Sequence, residues 1–415
     1  MRALVEHYDV KPLPAASARG PDVMASWITP EHLSAGHVAA LKRAIVNVLS
    51  TPEAEFAFAQ IIDGLPTAES FTEFHLFYPA DDGEHPVAEH LDLCDGALDA
   101  AREARTKLNP LALRFDPHVL QSFQDEEEGS RPFFLRLVEL VAVSVHQLAV
   151  QVYELEQSPH RHEYESWWSS WIERHTVDAP GFEALFATAF PPVPFYHNGY
   201  RQQYDQFPRG KADMVGYWAE AKILGGVALF DRGPSERECK ELLIHGDIRD
   251  GPSTIFPPTP TQWDALVAFM SWDSAADVGD EPPPACPLPL RATRDNVPRY
   301  TPYFAMKYQH IFRDRFAICL PPRYDPPNTR HLTEVDYPSR DDYFWVLQRL
   351  MERWNGAAID EDEMRRREEV LRACQPGNPF SFTPWPDEIL EGEGMSVGGP
   401  GAQNGSGAGQ ERSDS

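Results

Sequence analysis

The pattern of apolar and polar residues divides the chain into a helical first part and a mixed second part. In "TPEHLSAGHVAALKRAIVNVLS", Val38, Leu41, Ile45 and Val48 fall on one helical face, with Thr29 as cap and Pro30 at the first helical position. "FTEFHLFYP" (71–79) alternates well enough to predict a short strand. "GALDAAREARTKLNPL" predicts an exposed helix that Asn109-Pro110 stops. The most apolar stretch, 133–156, gathers Arg136, Glu139, His146, Gln147 and Gln151 into one narrow stripe. A bilayer penalises those groups. The pattern therefore predicts a central buried helix with one wet edge. "HRHEYESWWSSWIERH" continues the helical periodicity.

From about Pro191 the texture changes. In 215–224, Tyr217, Ala219, Ala221 and Ile223 alternate with Trp218, Glu220, Lys222 and Leu224, which predicts a strand. Gly225-Gly226 then reads as a strand bend or a hairpin turn, both left open. "VALFD", "ELLIHGD" and "STIFPP" extend this into an antiparallel meander at about 215–256. Thr259 and Gln262 make a capping box around Pro260 for the next helix. "KYQHIFRDRFAICLPP" fits a strand pair or a helix plus a strand. A helix follows at "SRDDYFWVLQRLMERWN", capped by Ser339, with Tyr343, Leu347, Leu350 and Trp354 on one face; a charged helix covers about 360–374. The expected architecture is α+β. A loose segment 1–25 precedes a mainly helical half (26–190), which packs with a small antiparallel β-meander in an α+β region (191–375). A disordered Gly/Ser-rich tail (376–415) ends the chain.

Charge narrows the partners. A net charge of −27 over 415 residues opposes binding to nucleic acid or to an anionic membrane, both polyanions. The five cysteines (Cys94, Cys239, Cys286, Cys319, Cys374) show no CxxC spacing, and the N-terminus lacks the apolar run of a secretory signal. Both point to reduced thiols in the cytoplasm, with the nucleus as the other choice.

Strong catalytic text is missing: there is no phosphate loop, no nucleophile elbow, no HExxH and no paired CxxC. The best catalytic candidates are Glu220, Asp231, His245 and Asp247, which a meander could bring to one sheet face for acid–base work. As plain structure, the same groups are wetted turn and edge residues. His245 and Asp247 also match the first two ligands of an Fe(II) facial triad, with His310 or His331 as third; His7-Tyr8-Asp9 fits the same pattern. His160, His162, Glu163 and His175 are close in sequence, but nearly four helical turns separate His162 from His175, too far for one ion. Tyr164, Trp167, Trp168 and Trp171 form an aromatic stripe better suited to packing than to a ligand. No cofactor and no metal ion is expected.

The runs Gly216 to Glu220, Gly225 to Arg232 and Pro257 to Thr259 resemble a family of uncharacterised proteins of filamentous fungi. The specific likeness covers about 200–270 and implies a fungal intracellular protein, with no activity, cofactor or catalytic residue to carry over. The expected function is a non-catalytic interaction or accessory protein with an unknown protein partner. The alternatives are a Glu/His hydrolase, an Fe(II)-dependent oxygenase, or an accessory protein of a fungal specialised-metabolite pathway.

Overall fold

The computed structural model describes residues 26–74, 85–155, 158–177, 190–201, 204–249, 251–273, 284–318, 339–374 and 376. The predicted loose segment 1–25, the tail beyond 376, His7 and His331 lie outside these residues.

The first part is helical, as its periodicity predicts. It comprises α1 (Ala35–Leu49), α2 (Pro52–Asp63), α3 (Ala68–Phe74), α4 (Ala97–Lys107), α5 (Pro117–Asp125), α6 (Arg131–Glu154) and α7 (Arg161–Val177). Two local expectations change. Thr29 heads only a 3-10 turn, and Ser34 caps α1 by accepting from the His37 amide. Phe71–Phe74, predicted to be strand, completes α3, where Thr67 accepts from the Ser70 amide at the helix start; the rest of that prediction lies outside the described residues.

The largest correction falls on 215–224. It is not a strand but the second half of α8 (Lys211–Leu224), the most enclosed helix of the fold. Every side chain from Ala212 to Ala221 is buried. A helix walled in on all sides needs no polar face, so its 3.6-residue period vanishes from the sequence and a period of two can be read into it. Gly225 is neither bend nor hairpin. It ends α8 in the left-handed region (φ 96°), its amide bonded to the Ala221 carbonyl. A Cβ there would sit 2.3 Å from the Leu290 carbonyl oxygen, so only glycine fits.

The sheet is antiparallel in the order β3-β2-β1-β4, built from β1 (Val227–Asp231), β2 (Leu242–His245), β3 (Ile255–Phe256) and β4 (Ile311–Phe312). The meander thus begins after the glycine pair, with Val227 opposite His245, and β4 adds to its free side with Ile311 opposite Asp231. Between β3 and β4 run α9 (Pro260–Ser271), which carries the predicted capping box, and α10 (Pro302–Tyr308). The described part of the 307–322 stretch, 307–318, is therefore the end of a helix followed by a strand and a 3-10 turn. A continuous core from Leu41 to Ile311 joins helices and sheet, with α6 packed on α8 at its centre. In α6, 83% of the most apolar window is buried by protein, as expected of a core helix.

The last two helices, α11 (Arg340–Trp354) and α12 (Glu361–Cys374), form a hairpin with its own small core of Val346, Met364 and Leu371. Ser339 precedes α11 without a side-chain capping bond. The predicted inward face is rotated: Val346 turns inward, whereas Leu347 and Trp354 face solvent.

Candidate functional site

The polar stripe of α6 is wet only at its end, where Gln151 is exposed and Gln147 half-buried. Arg136, Glu139 and His146 are all buried; Glu139 and His146 meet charged groups from the second half of the chain, and Arg136 donates to the Arg237 carbonyl there. Glu139 is held between Arg136 of its own helix (2.8 Å) and Arg232 at the end of β1 (2.7 Å). Farther along α6, His146 lies between two carboxylates of α8: Nδ1 is 2.9 Å from Glu220 Oε1 and Nε2 is 2.9 Å from Asp213 Oδ1. Gly216 makes this approach possible, since a Cβ there would fall 2.5 Å from the imidazole. Arg313, just after β4, donates to the same Glu220 oxygen and lies over the Tyr217 ring.

Carboxylates only accept, so both His146 nitrogens must donate and the ring is an imidazolium. Burial alone would push its pKa down; the hydrogen bonds to Asp213 and Glu220 override that and hold it above the ordinary value. Burial likewise works against ionised Glu220, but the Arg313 charge and the His146 bond win and lower its pKa. The second Glu220 oxygen, Oε2, is buried without a hydrogen-bond partner. Asp213, His146 and Arg313 reach the wall of a small cleft, together with Arg209, Asp314 and Phe316. The cleft offers about 30 Å³ to water-sized occupants, where one water needs about 10–15 Å³. The arrangement holds a proton on a carboxylate–imidazole–carboxylate relay whose outer end faces a cleft with room for about two or three waters.

The four nominated residues go to different places, and two of them, Asp231 and Asp247, are half-buried turn residues. The Asp231 carboxylate accepts from the Gly233 amide at 2.8 Å. Glu220 is sealed in the seam just described. His245 is sealed elsewhere, edge-on to His197 with ring centroids 4.9 Å apart, and its Nδ1 has no hydrogen-bond partner. Burial drives its pKa well below the usual imidazole value, with His197 adding to the effect. Asp247 sits in a left-handed turn (φ 41°), with its amide bonded to the Pro252 carbonyl. The expectation that these acids and imidazoles are wetted fails for Glu220 and His245. An Fe(II) triad does not assemble from His245 and His310 either: they flank opposite ends of β1, and His310 pairs with Glu236 at 3.4 Å.

Of the helix-start histidines, His162 is exposed beside Glu165, while His160 turns away toward α2 and the 85–96 segment. The aromatic stripe packs as expected, with Tyr164, Trp167 and Trp171 buried and the Trp168 indole donating to the Phe190 carbonyl. Asp213 and Arg313 escaped the sequence reading because nothing local marks them. Their partners, His146 for Asp213 and Glu220 for Arg313, are 67 and 93 residues away. Comparison with protein-family models, curated proteins and solved structures finds no match.

Proposed function

We propose that this protein works by binding a partner protein, and that the outward face of α11 is the contact. The carrying observation is a stripe of Phe344, Leu347, Met351 and Trp354, which are 43%, 37%, 55% and 79% exposed. Such a patch on a folded surface marks an interaction site. The other large exposed apolar side chains of the described residues, Val370 on α12 apart, are spread along the chain from Ile28 to Val297. The stripe follows an i, i+3, i+7, i+10 spacing over about 15 Å of helix, the seam that a second amphipathic helix fills. Four side chains on one helix fall well short of the roughly 800 Å² per partner of a stable dimer, which favours a helical segment of another protein over a second copy. The high negative charge favours a cationic helix. The fungal likeness supports an accessory role in the cytoplasm or nucleus, including in a specialised-metabolite pathway.

Calorimetric titration of the full chain with a synthetic Leu/Lys amphipathic helix tests this reading. Binding should saturate, and Phe344→Asp combined with Met351→Asp should weaken it at least about tenfold, the loss of one good anchor. Both sites are exposed, so the variant should fold. Equal binding by the variant, or dimerisation through the same face, rejects the proposal.

A second reading rests on the Asp213–His146–Glu220 relay: general acid–base hydrolysis, with Asp213 passing a proton to a cleft water. It requires ester or amide turnover by the full chain that Asp213→Asn abolishes. A preparation that turns over neither substrate class removes it.

A further inference from the structure

Three segments distant in sequence bring unlike donor groups to one spot near the surface. Helix α2 ends on Asp63, and Gly64 takes the left-handed turn that follows (φ 98°). A Cβ on Gly64 would lie 2.8 Å from the Arg161 amide nitrogen, so the start of α7 rests directly on the end of α2. Backbone bonds fix this contact: the His160 amide donates to the Asp63 carbonyl, and the Ala68 amide to the His90 carbonyl. The Cys94 amide donates to Asp63 Oδ2 at 3.0 Å. This frame carries four side chains inward whose donor atoms all lie within 4.8 Å of one another: Asp63, His90, Cys94 and His160.

Their individual geometry is that of ligands. His90 Nδ1 lies 3.0 Å from the Pro66 carbonyl oxygen, which can only accept, so the proton sits on Nδ1 and the Nε2 lone pair points at the cluster. That lone pair faces Asp63 Oδ2 at 3.1 Å. In the neutral imidazole two lone pairs would then oppose each other; a second ring proton, as at His146, or a metal ion held by both atoms resolves the conflict. His160 places Nε2 3.0 Å from Cys94 Sγ and 3.9 Å from Asp63 Oδ1. Its Nδ1 is turned to Glu163 Oε1 at 3.0 Å, at an angle short of a hydrogen bond, in the manner of an outer carboxylate orienting a ligand. Asp63 is fully buried, yet its Oδ1 has no hydrogen-bond partner, a costly state for an anionic oxygen.

We propose that Asp63, His90, Cys94 and His160 form a zinc site that clamps the end of α2, the 85–96 segment and the start of α7. Bond lengths of about 2.0–2.3 Å place tetrahedral ligands about 3.3–3.8 Å apart, and the observed separations of 3.0, 3.1 and 3.9 Å bracket that range. One thiolate and one carboxylate offset the double charge of the ion, and two neutral imidazoles complete the set. Sulfur and imidazole donors select against magnesium and calcium. Four protein ligands close the coordination sphere, so the role is structural. This site is independent of the α11 stripe and of the His146 relay.

The experiment uses the full chain purified without a metal-binding tag, loaded with zinc and dialysed against a weak chelator. The native chain should retain about one zinc. Cys94→Ser and His90→Ala should each weaken retention by roughly 100-fold or more, at least the upper range seen for loss of an outer-shell partner. His162→Ala, nearby but outside the cluster, should change nothing. Cobalt in place of zinc should show a thiolate charge-transfer absorption that Cys94→Ser lacks. Zinc should also raise the thermal midpoint of the native chain and not that of Cys94→Ser, which alters an exposed side chain and should fold. No zinc retained by the native chain overturns the proposal. So does equal retention by the Cys94 and His90 variants.

Discussion

Replacing Glu220 by alanine should lower the unfolding free energy by about 3–5 kcal/mol, the usual cost of breaking a buried ion pair from one side. The carboxylate is fully buried and receives both the Arg313 guanidinium and the His146 imidazolium. Its removal takes away the carboxylate these two buried cations share, leaving His146 only Asp213 and Arg313 only Asp314 as anionic partners. The cost arises from those underpaired charges, not from a large net gain of the intact cluster. A second expectation follows. Glu220→Leu combined with Arg313→Met and His146→Leu should recover most of the loss, because an apolar seam of similar volume carries no desolvation cost. An exposed pair provides the contrast: Arg315, 79% exposed, bonds Glu236, and Glu236→Ala should cost under about 1 kcal/mol. Urea unfolding of the variants measures all three. A Glu220→Ala loss no greater than that of Glu236→Ala would show that the seam is hydrated.

Acid should destabilise the fold by about 3 kcal/mol through His197 alone. This imidazole is sealed against the end of β2, with the Phe74 and Tyr200 rings around it: Nε2 donates to the carbonyls of His245 and Gly246, both at 2.9 Å, and Nδ1 accepts from the Gly199 amide. Burial lowers its pKa to about 4, although the carbonyl bonds and the Glu220 charge pull the other way. An ordinary unfolded histidine titrates near 6.5. Between these values the unfolded chain binds the extra proton and the native chain does not, so stability falls as pH drops from about 6.5 to 4. The drop of about 2.5 units corresponds to about 3 kcal/mol. His245 adds loss in the same direction. His146 works oppositely: its raised pKa stabilises the fold at low pH, and that share is lost as pH rises through the folded value. Carboxylates such as Glu139 and Glu220, whose pKa values are lowered, add their losses only as pH falls below the ordinary carboxylate range. Glu241 and Asp314, whose pKa values burial raises, oppose the decline in part, so urea midpoints between pH 7 and 4.5 isolate the His197 share by comparison of variants. They should decline steeply in the native chain and more shallowly in His197→Gln; identical slopes would remove the assignment.

What the sequence by itself determined is whatever repeats locally or is stated by neighbouring residues. The cap of α9 is written in Thr259 and Gln262, the end of α4 in Asn109-Pro110, and the strands β1 and β2 in runs of branched and aromatic residues. The inward side of α1 follows from Leu41, Ile45 and Val48. The apolar length of 133–156 marked α6 as central because few other environments hold so much greasy surface.

Tertiary structure decided the rest. Helix α8 hid its period because neighbours enclose it on every side, and an enclosed helix has no polar face to print. The stripe of Arg136, Glu139 and His146 looked wet because a lone charge is costly in a core; it is dry because Arg232, Asp213 and Glu220 arrive from far along the chain to neutralise it. The same holds at Asp63, where His90 and Cys94 stand at a ligand-like spacing of three intervening residues but Asp63 and His160 join them only in space. Charge pairing and metal ligation act over a few ångströms in space. Sequence records proximity only along the chain, so groups that meet solely through the packing of distant helices leave no local trace.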